Sequence, residues 1–359
     1  MKVCIIGDGL VSLTLANVLI KKDIFVDIFT SKKNIKYDKS RTLGISKSNI
    51  DFFNKEIVNI EKISWDIKTI KIYTEKDLKK DILKFNDESK KIFSIIRNNQ
   101  LQKLLLKKLK KSKLIKFKHN SNYFKMNQSE YKLVIHSDQS HPHIKKFFSK
   151  KIEKKYKSIA YTTTFFHKEI DNNIAFQNFT KKGPIAFLPI SKSETSVVYS
   201  FKSLKKKKNF EMNNLIKRYN PIYLIKKINN WSSFELRSTS LRNYYKDNIL
   251  AFGDLLHKIH PLAGQGFNMS LRDIKLLSYL IDKRIYLGLD FDSSICEEFQ
   301  KNSKDKNLIF STGVDWIYEL FNLENNVNSN FLNHSINLIG RNKIVNKFLK
   351  RFADIGIRY

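Results

Sequence analysis

The sequence predicts an α/β fold in which a parallel sheet with helices on its faces is interleaved with a mostly antiparallel sheet and followed by a helical C-terminal region. Three observations lead to this prediction. The chain opens with an apolar strand, a glycine-marked turn and a helix. Its middle alternates apolar and polar residues with the period of a strand, as over residues 159–166 and 195–200. From residue 291 onward, apolar positions recur at helical spacing.

The opening segment predicts a βαβ unit that places a pyrophosphate on a helix N-terminus. Its parts are a strand over residues 1–6, the turn Gly7-Asp8-Gly9-Leu10-Val11-Ser12, an amphipathic helix over residues 13–22 and a strand over residues 24–30. Two positions depart from the Gly-x-Gly-x-x-Gly pattern, because Ser12 replaces the third glycine and Thr30 stands where an acidic residue would hold a ribose. The turn alone is therefore equally consistent with an ordinary tight turn that binds nothing.

Residues 253–273 predict a second helix start that faces a ligand. They follow the apolar run 248–252 and lead into the apolar residues 274–280, so a short strand ends in an acidic turn, crosses a proline-marked loop and opens a helix. The first N–H groups of a helix have no partner within it, and Gly264 and Gly266 present no side chain that would keep a ligand away. An electron-rich group is expected at this helix start.

Together the two segments resemble the FAD-binding signatures of the class A flavin monooxygenases, most closely the UbiH-type hydroxylases of ubiquinone biosynthesis. That family carries Gly-Asp-x-x-His-x-x-His-Pro-x-x-Gly-Gln-Gly-x-Asn-x-x-x-x-Asp, and every named position is present from Gly253 to Asp273. The resemblance continues, in the family's order, through the segments 41–46, 96–101, 179–189 and 234–236.

The resemblance and the pattern along the chain imply three regions. An FAD-binding, Rossmann-like domain takes residues 1–55, 100–150 and 236–285, a substrate-binding domain takes 56–99 and 151–235, and a C-terminal helical region takes 286–359. The implied activity is that of an FAD-dependent monooxygenase. It would use NAD(P)H as co-substrate and O2 to hydroxylate an aromatic ring of a polyprenylated ubiquinone precursor, chemistry that a cofactor must carry.

The resemblance also assigns residues to parts of FAD. The glycine turn, through Gly7, Gly9 and Ser12, and the guanidinium of Arg41 would meet the pyrophosphate. Asp254 would accept hydrogen bonds from the ribityl hydroxyls, and Asn98 would contact the flavin. The edge of the isoalloxazine would lie against a preorganised helix start formed by Gly264, Gln265, Gly266, Phe267 and Asn268, with Pro261 in the loop beside it. No catalytic side chain is assigned, because the flavin carries the chemistry beside Pro261 and Gly264.

Several of these residues have simpler interpretations. Asp254 alone could cap a turn, and Arg41 could be an ordinary surface residue. His257 and His260 have the spacing of a metal or acid–base pair. The loop proline and the lack of a nearby carboxylate partner favour structural hydrogen bonds for both, so no metal site is predicted.

One departure from the family concerns its Asp-Gly motif, which a serine and an arginine follow. Gln139 stands in the glycine position, and Lys145 or Lys146 is the nearest cation. A glutamine at positive φ would be strained by about 1 kcal/mol or more, which would impair reduction by NAD(P)H. Together with Ser12 and Thr30, this departure leaves open a flavin-binding accessory protein of the quinone pathway with little turnover. A hydroxylase of a small soluble phenol, which would have a narrow closed pocket, is a further alternative.

Composition limits the partners and the compartment. The formal charge is +33, but the 67 basic residues comprise 10 arginines and 57 lysines, and no nucleic-acid-binding motif is present, so a membrane surface is the expected anionic partner. The two cysteines, Cys4 and Cys296, argue against a disulfide framework. Without a signal peptide or an 18-residue apolar run, a cytoplasmic protein peripheral to the inner face of the cytoplasmic membrane is expected.

Overall fold

The computed structural model describes residues 1–30, 40–75, 78, 80–86, 91–119, 130–140, 142–203, 207–260, 264–326, 351 and 354–356. Its strands are β1 (Lys2–Ile6), β2 (Phe25–Thr30), β3 (Thr42–Ser46), β4 (Ser64–Ile67), β5 (Thr69–Thr74), β6 (Leu83–Asn86), β7 (Phe93–Arg97), β8 (Ile115–His119), β9 (Leu133–His136), β10 (Lys151–His167), β11 (Ile174–Thr180), β12 (Gly183–Pro189), β13 (Glu194–Lys202), β14 (Ile225–Ile228), β15 (Ser232–Leu241), β16 (Tyr245–Lys246), β17 (Ile249–Ala251) and β18 (His257–Lys258). Its helices are α1 (Leu10–Ile20), α2 (Lys47–Phe52), α3 (Asn98–Leu109), α4 (Pro142–Phe147), α5 (Asn209–Tyr219), α6 (Gln265–Tyr286) and α7 (Ser293–Asn326).

The first sheet is the predicted Rossmann-like sheet. Its strand order is β16-β17-β9-β1-β2-β8, and all pairs are parallel except the β16–β17 edge. The central strands are nearly continuous runs of buried apolar residues, as expected of a parallel sheet covered on both faces. Cys4 is fully buried among them, as a small hydrophobic residue.

Helix α1 differs from its predicted amphipathic form. Every residue from Ser12 to Leu19 is buried, because the helix packs against β2, α3 and α6 and leaves no solvated face. Its one amide, Asn17, donates hydrogen bonds from Nδ2 to the carbonyl oxygens of Leu13 and Leu105. The helix starts where β1 ends, at the edge of the sheet to which the carboxyl ends of the parallel strands point.

The second sheet is mostly antiparallel, as predicted. Its order is β18-β15-β10-β13-β12-β11-β5-β6, with β14 also pairing with β10, and only β11–β5 is parallel. The predicted strands 159–166 and 195–200 are its antiparallel neighbours β10 and β13. A separate antiparallel sheet, β3-β7-β4, is the third.

The regions assigned from the sequence stay a prediction, but two strands cross the boundaries proposed for them. The boundary at residues 235 and 236 falls inside β15, and β18 joins the large sheet although it lies within the segment 236–285. Strands β4 and β7, from the segment 56–99, pair with β3 rather than with the large sheet.

The C-terminal region contains the long helix α7, which packs against α6 and β11. The predicted fold class is confirmed by these three sheets and by the helices that follow them. Among the described residues, no helix is both long and apolar enough to cross a bilayer.

Candidate functional site

A cavity of about 1070 Å³ lies where the parallel sheet, the large sheet and α7 meet. Every predicted site residue that the structure describes lines it, namely Gly7, Gly9, Ser12, Arg41, Asn98, Asp254, Gly264, Gln265, Gly266, Phe267 and Asn268. Pro261 lies outside the described residues. Residues more than 250 positions apart in the chain are thus brought to one wall.

The first glycine turn ends β1 and opens α1 onto the cavity. Gly9 is the N-cap of α1 and provides no side-chain cap for the first N–H groups. A Cβ added to Gly9 would meet no atom within 4 Å, so this position adjoins open space. An uncapped helix start beside open space is suited to an anion such as a pyrophosphate.

Ser12 fits this turn because of a residue 125 positions away. Its hydroxyl lies 2.6 Å from the hydroxyl of Ser137, which also donates a hydrogen bond to the carbonyl oxygen of Ile6 at 3.1 Å. A small polar residue at the end of β9 therefore accommodates the side chain that stands in place of the third glycine. The helix and the sheet stay closely packed, with Ser12 only 2% exposed.

Gln139 is not strained, contrary to the conditional expectation from the sequence. Its φ is not positive, since the described non-glycine residues with positive φ are Asp23, Lys157 and Asp247. Its side-chain amide donates a hydrogen bond of 2.6 Å to the backbone carbonyl oxygen of Asp254. The glutamine thus links the loop after β9 to the loop that carries the predicted ribityl contact.

The start of α6 comes close to β3 because its N-cap has no side chain. Gly264 has a left-handed conformation, with φ of 65°, and a Cβ there would lie 3.2 Å from the backbone nitrogen of Gly44. The helix has no side-chain cap. Its first N–H groups therefore face the cavity as a region of positive potential.

Asn268 fixes the position of this helix start. Its side-chain amide donates to the carbonyl oxygen of Gly44 at 2.8 Å, and its Oδ1 accepts from the backbone N–H of Ser46 at 3.0 Å and from the amide of Asn49 at 2.9 Å. The side chain is 1% exposed. The side chain of Asn268 therefore joins α6 to β3 and α2.

Two buried cations lie further along α6. Burial lowers the pKa of Arg272 to about 10 and that of Lys275 to about 8, and the carboxyl group of Asp354 partly offsets both shifts. Asp354 also lines the cavity and accepts a hydrogen bond from the backbone N–H of Ser48 at 3.0 Å.

Arg41 contacts strand β15 of the large sheet. Its guanidinium lies 4.6 Å from the centre of the Phe234 ring, a cation–π contact with β15. Its backbone carbonyl accepts a hydrogen bond from the N–H of Asn98 at 3.1 Å, which brings the two predicted contacts together. Because the guanidinium already has an aromatic partner, contact with a pyrophosphate would require it to leave Phe234 or to serve both.

The histidines of the motif have different surroundings. His257 lines the cavity, and its Nε2 hydrogen-bonds the buried carboxylate of Asp273, which also accepts from the amide of Asn307 at 3.0 Å. The sequence expectation that no carboxylate lies near was therefore wrong for His257, because α6 returns Asp273 to it two turns after the helix begins. His260 is buried between the rings of Tyr156 and Tyr318, and neither of its ring nitrogens has a hydrogen-bond partner among the described residues, so the structural hydrogen bonds expected for it were wrong.

Gln102 also lines the cavity, although it is not among the site residues predicted from the sequence. It lies on α3 one turn after Asn98, so the two amides share a helix face. Gln102 could have been predicted from the sequence, because it lies four residues after the proposed contact Asn98 at the start of a helix.

The other half of the cavity is apolar. It is bounded by side chains of β5, β6, β11 and α7, namely Ile70, Ile72, Leu83, Phe85, Phe176, Phe179, Phe310, Val314, Ile317 and Leu320. Leu320 is also 37% exposed, so this half extends to the protein surface.

Known proteins are similar to parts of this chain. Residues 152–283 match the model of an FAD binding domain. The chain is 27% identical over 184 residues to the ubiquinone biosynthesis monooxygenase COQ6 of Dictyostelium discoideum, and 30% identical over 154 residues to the 3-demethoxyubiquinol 3-hydroxylase of Escherichia coli. The matched segments are similar to the class A FAD-dependent monooxygenases of ubiquinone biosynthesis. Each of the two alignments includes 41% of this chain, and they cover 37% and 39% of the respective relatives.

Solved structures share the fold over nearly the whole chain. The p-nitrophenol 4-monooxygenase PnpA of Pseudomonas putida superposes with a TM-score of 0.79 at 13% identity, over 99% of this chain and 98% of that one. HpxO of Klebsiella pneumoniae, solved with FAD and uric acid, superposes with a TM-score of 0.74 at 11% identity, over 99% of this chain and 97% of that one. At these identities the likeness concerns the fold alone.

The residues of this cavity fit FAD, the cofactor of the family. Two helix starts without side-chain caps, at Gly9 and Gly264, line the same cavity and suit the pyrophosphate and the electron-rich edge of the flavin. The carboxylate of Asp254, which follows a strand of the parallel sheet, suits the ribityl hydroxyls that lie between the pyrophosphate and the flavin ring of FAD.

Proposed function

We propose that this chain uses FAD, NAD(P)H and O2 to hydroxylate an aromatic ring of a polyprenylated ubiquinone precursor. The observation that carries the proposal is a single cavity with a polar half, where FAD fits, and an apolar half beside it. Ligand pockets usually measure about 300–1,000 Å³. A cavity of about 1070 Å³ is large for one ligand and supports a cofactor together with a substrate.

The residues of the chain would bind and orient FAD and the substrate, and they would exclude water from the site. The turn with Gly7, Gly9 and Ser12 would hold the pyrophosphate, Asp254 would accept from the ribityl hydroxyls, and the α6 start would face the flavin ring. When bound, FAD would supply the electron transfer and oxygen activation that no side chain can perform. The apolar half would hold the aromatic ring away from water, where the preorganised dipole of α6 acts at full strength.

The apolar half supports a substrate with a lipid tail over a small soluble phenol. A small phenol would suit a narrow closed pocket, whereas this half is lined by β5, β6, β11 and α7 and reaches the exposed Leu320. The names of the two curated relatives, both concerned with ubiquinone, agree with a quinone precursor.

The accessory-protein alternative loses much of its basis. It depended on departures at Ser12, Thr30 and Gln139. Ser12 is accommodated by Ser137, and Gln139 adopts an unstrained backbone while hydrogen-bonding the loop of Asp254. These observations support an active flavoenzyme.

We further propose that the protein associates with the membrane surface that holds its substrate. The net charge of +33 favours anionic lipid, and about 1 kcal/mol can be gained for each lysine near such a surface. Trp316 is 73% exposed and lies one helical turn before Leu320. An exposed tryptophan beside the surface end of an apolar cavity is suited to the interface of a bilayer.

The test is oxygen transfer by the purified protein. Its FAD should bleach when NADH or NADPH is added without oxygen, and air with extracted quinone precursors should then give a product heavier by one oxygen atom. Bound FAD that neither nucleotide bleaches, even with substrate present, would instead support the accessory-protein alternative.

A variant of the apolar half tests the substrate class in the same assay. Val314→Trp would fill space on α7 and should raise the KM for a long-tailed phenol at least ten-fold, since several buried methylene groups are lost at about 0.8 kcal/mol each. The KM for a tail-less phenol should change little. An equal rise in KM for both substrates would contradict the binding of a lipid tail in the apolar half of the cavity.

A further inference from the structure

We propose that Asp8 supplies the carboxylate that holds the ribose of the adenosine part of FAD. In dinucleotide-binding βαβ units this carboxylate usually comes from the end of the second strand. Here Thr30 occupies that place at the end of β2. The inference rests on the FAD site proposed above and identifies one of its binding residues.

The geometry places the carboxylate of Asp8 where the missing acid would be. The hydroxyl of Thr30 donates a hydrogen bond of 2.6 Å to Oδ2 of Asp8. The turn is also held to β2 through its backbone, since the N–H of Gly7 donates to the carbonyl oxygen of Phe29 at 2.9 Å. The side chain from the glycine turn therefore ends beside the last residue of β2.

This carboxylate is available to a ligand. Asp8 and Thr30 both line the cavity, and Asp8 is partly exposed whereas Thr30 is 4% exposed. The bond from Thr30 uses Oδ2 of Asp8. A carboxylate has about four lone-pair positions, so it can still accept from the two neighbouring hydroxyls of a ribose. Such charge-assisted bonds are stronger than those between neutral groups.

A structural role makes a different prediction. A purely structural carboxylate would stabilise the start of α1 through the helix dipole and would tie the glycine turn to β2 through Thr30. Asp8→Ala would then lower the stability of the protein and the affinity for every ligand of the site alike. It would not change how the site distinguishes a ribose from a deoxyribose.

The experiment uses the full chain freed of flavin, with ADP, 2′-deoxy-ADP and 3′-deoxy-ADP as probes in calorimetry. The wild-type protein should bind ADP about ten-fold tighter than a deoxy compound that lacks one of the bonded hydroxyls, since a hydrogen bond to a charged group has about this value. Asp8→Ala should bind that pair with equal affinity, and its affinity for FAD should fall about ten-fold.

A transplanted carboxylate serves as the positive control. Asp8→Ala combined with Thr30→Glu returns an acid to the end of β2 and should restore the preference for ADP. Asp8→Ala that keeps the wild-type ADP preference would overturn the inference while leaving the FAD site intact. A wild-type chain that binds neither FAD nor ADP would overturn the FAD site, and the assignment of Asp8 with it.

Discussion

At the scale of single residues, the motif from Gly253 to Asp273 has two kinds of member. Asp254 is exposed where it lines the cavity, whereas Asn268 and Asp273 are each 1–2% exposed, and their side chains bind other parts of the protein. Asn268 ties α6 to β3 and α2, and Asp273 ties α6 to His257 and to α7. Much of the motif therefore positions the backbone that would meet the cofactor.

His260 gives a prediction about pH. Burial lowers its pKa to about 3, with a smaller contribution from Lys154. The unfolded chain, with a histidine pKa near 6.5, binds a proton below that pH while the folded chain does not, so stability falls as pH falls from 6.5. His260→Phe should remove this loss, about 2 kcal/mol between pH 6.5 and 5. Urea unfolding at pH 7.5 and 5.0 measures the change in the free energy of unfolding between the two pH values.

The control lies in the same aromatic cluster. Tyr318→Phe changes a ring that stacks on His260, 4.3 Å between centres, but removes no group that titrates in this range. It should keep the wild-type dependence on pH. If His260→Phe also followed the wild-type curve in parallel, the histidine would not be the source of the acid sensitivity.

At the scale of elements, the start of α6 depends on two glycines in different ways. Gly264 needs a left-handed backbone and close approach to Gly44, whereas Gly266 lies within the helix, and a Cβ there would have its nearest neighbour, Ile259, at 4.0 Å. The first requirement belongs to the fold. The second glycine is free of it, so only a ligand would explain the absence of a side chain there.

Alanine at each position separates the two roles. Gly264→Ala should destabilise the protein by about 1–3 kcal/mol through its positive φ and the contact with Gly44. Gly266→Ala should leave stability unchanged or slightly higher, because alanine favours a helix, but should weaken FAD binding. Thermal unfolding of the flavin-free chain measures the change in stability, and titration with FAD measures the change in affinity. Unchanged FAD affinity in Gly266→Ala would show that no ligand approaches this residue closely.

At the scale of the whole molecule, charge and the position of the apolar half of the cavity predict salt-dependent binding to lipid. The protein should sediment with phosphatidylglycerol vesicles at 0.1 M salt and be released at 1 M, because the screening length falls from about 10 Å to about 3 Å. Trp316→Ala should weaken this binding several-fold. Tyr279→Ala, which changes a 63% exposed ring on α6, is the matched control and should not. Equal binding by all three proteins would exclude α7 from the contact.

The sequence was sufficient for the fold class and for the two helix starts of the site. The patterns around Gly9 and Gly264 are local, and the elements they begin are α1 and α6. The sequence could not show whether the family's fold accommodates Ser12 and Gln139, because the residues that contact them are distant in the chain. Ser12 pairs with Ser137, and Gln139 bonds Asp254, across 125 and 115 positions. Side-chain partners of this kind are set by packing, which no local pattern records.

The order of the parallel sheet has a consequence for how the chain acquires its structure during synthesis. Strand β9 lies between β1 and β17, so its second neighbour consists of residues 249–251. Until the ribosome has released that stretch, one side of β9 exposes unpaired N–H and C=O groups. A nascent chain with such a delayed partner is vulnerable to aggregation, and it is a natural client for chaperones that shield open sheet edges.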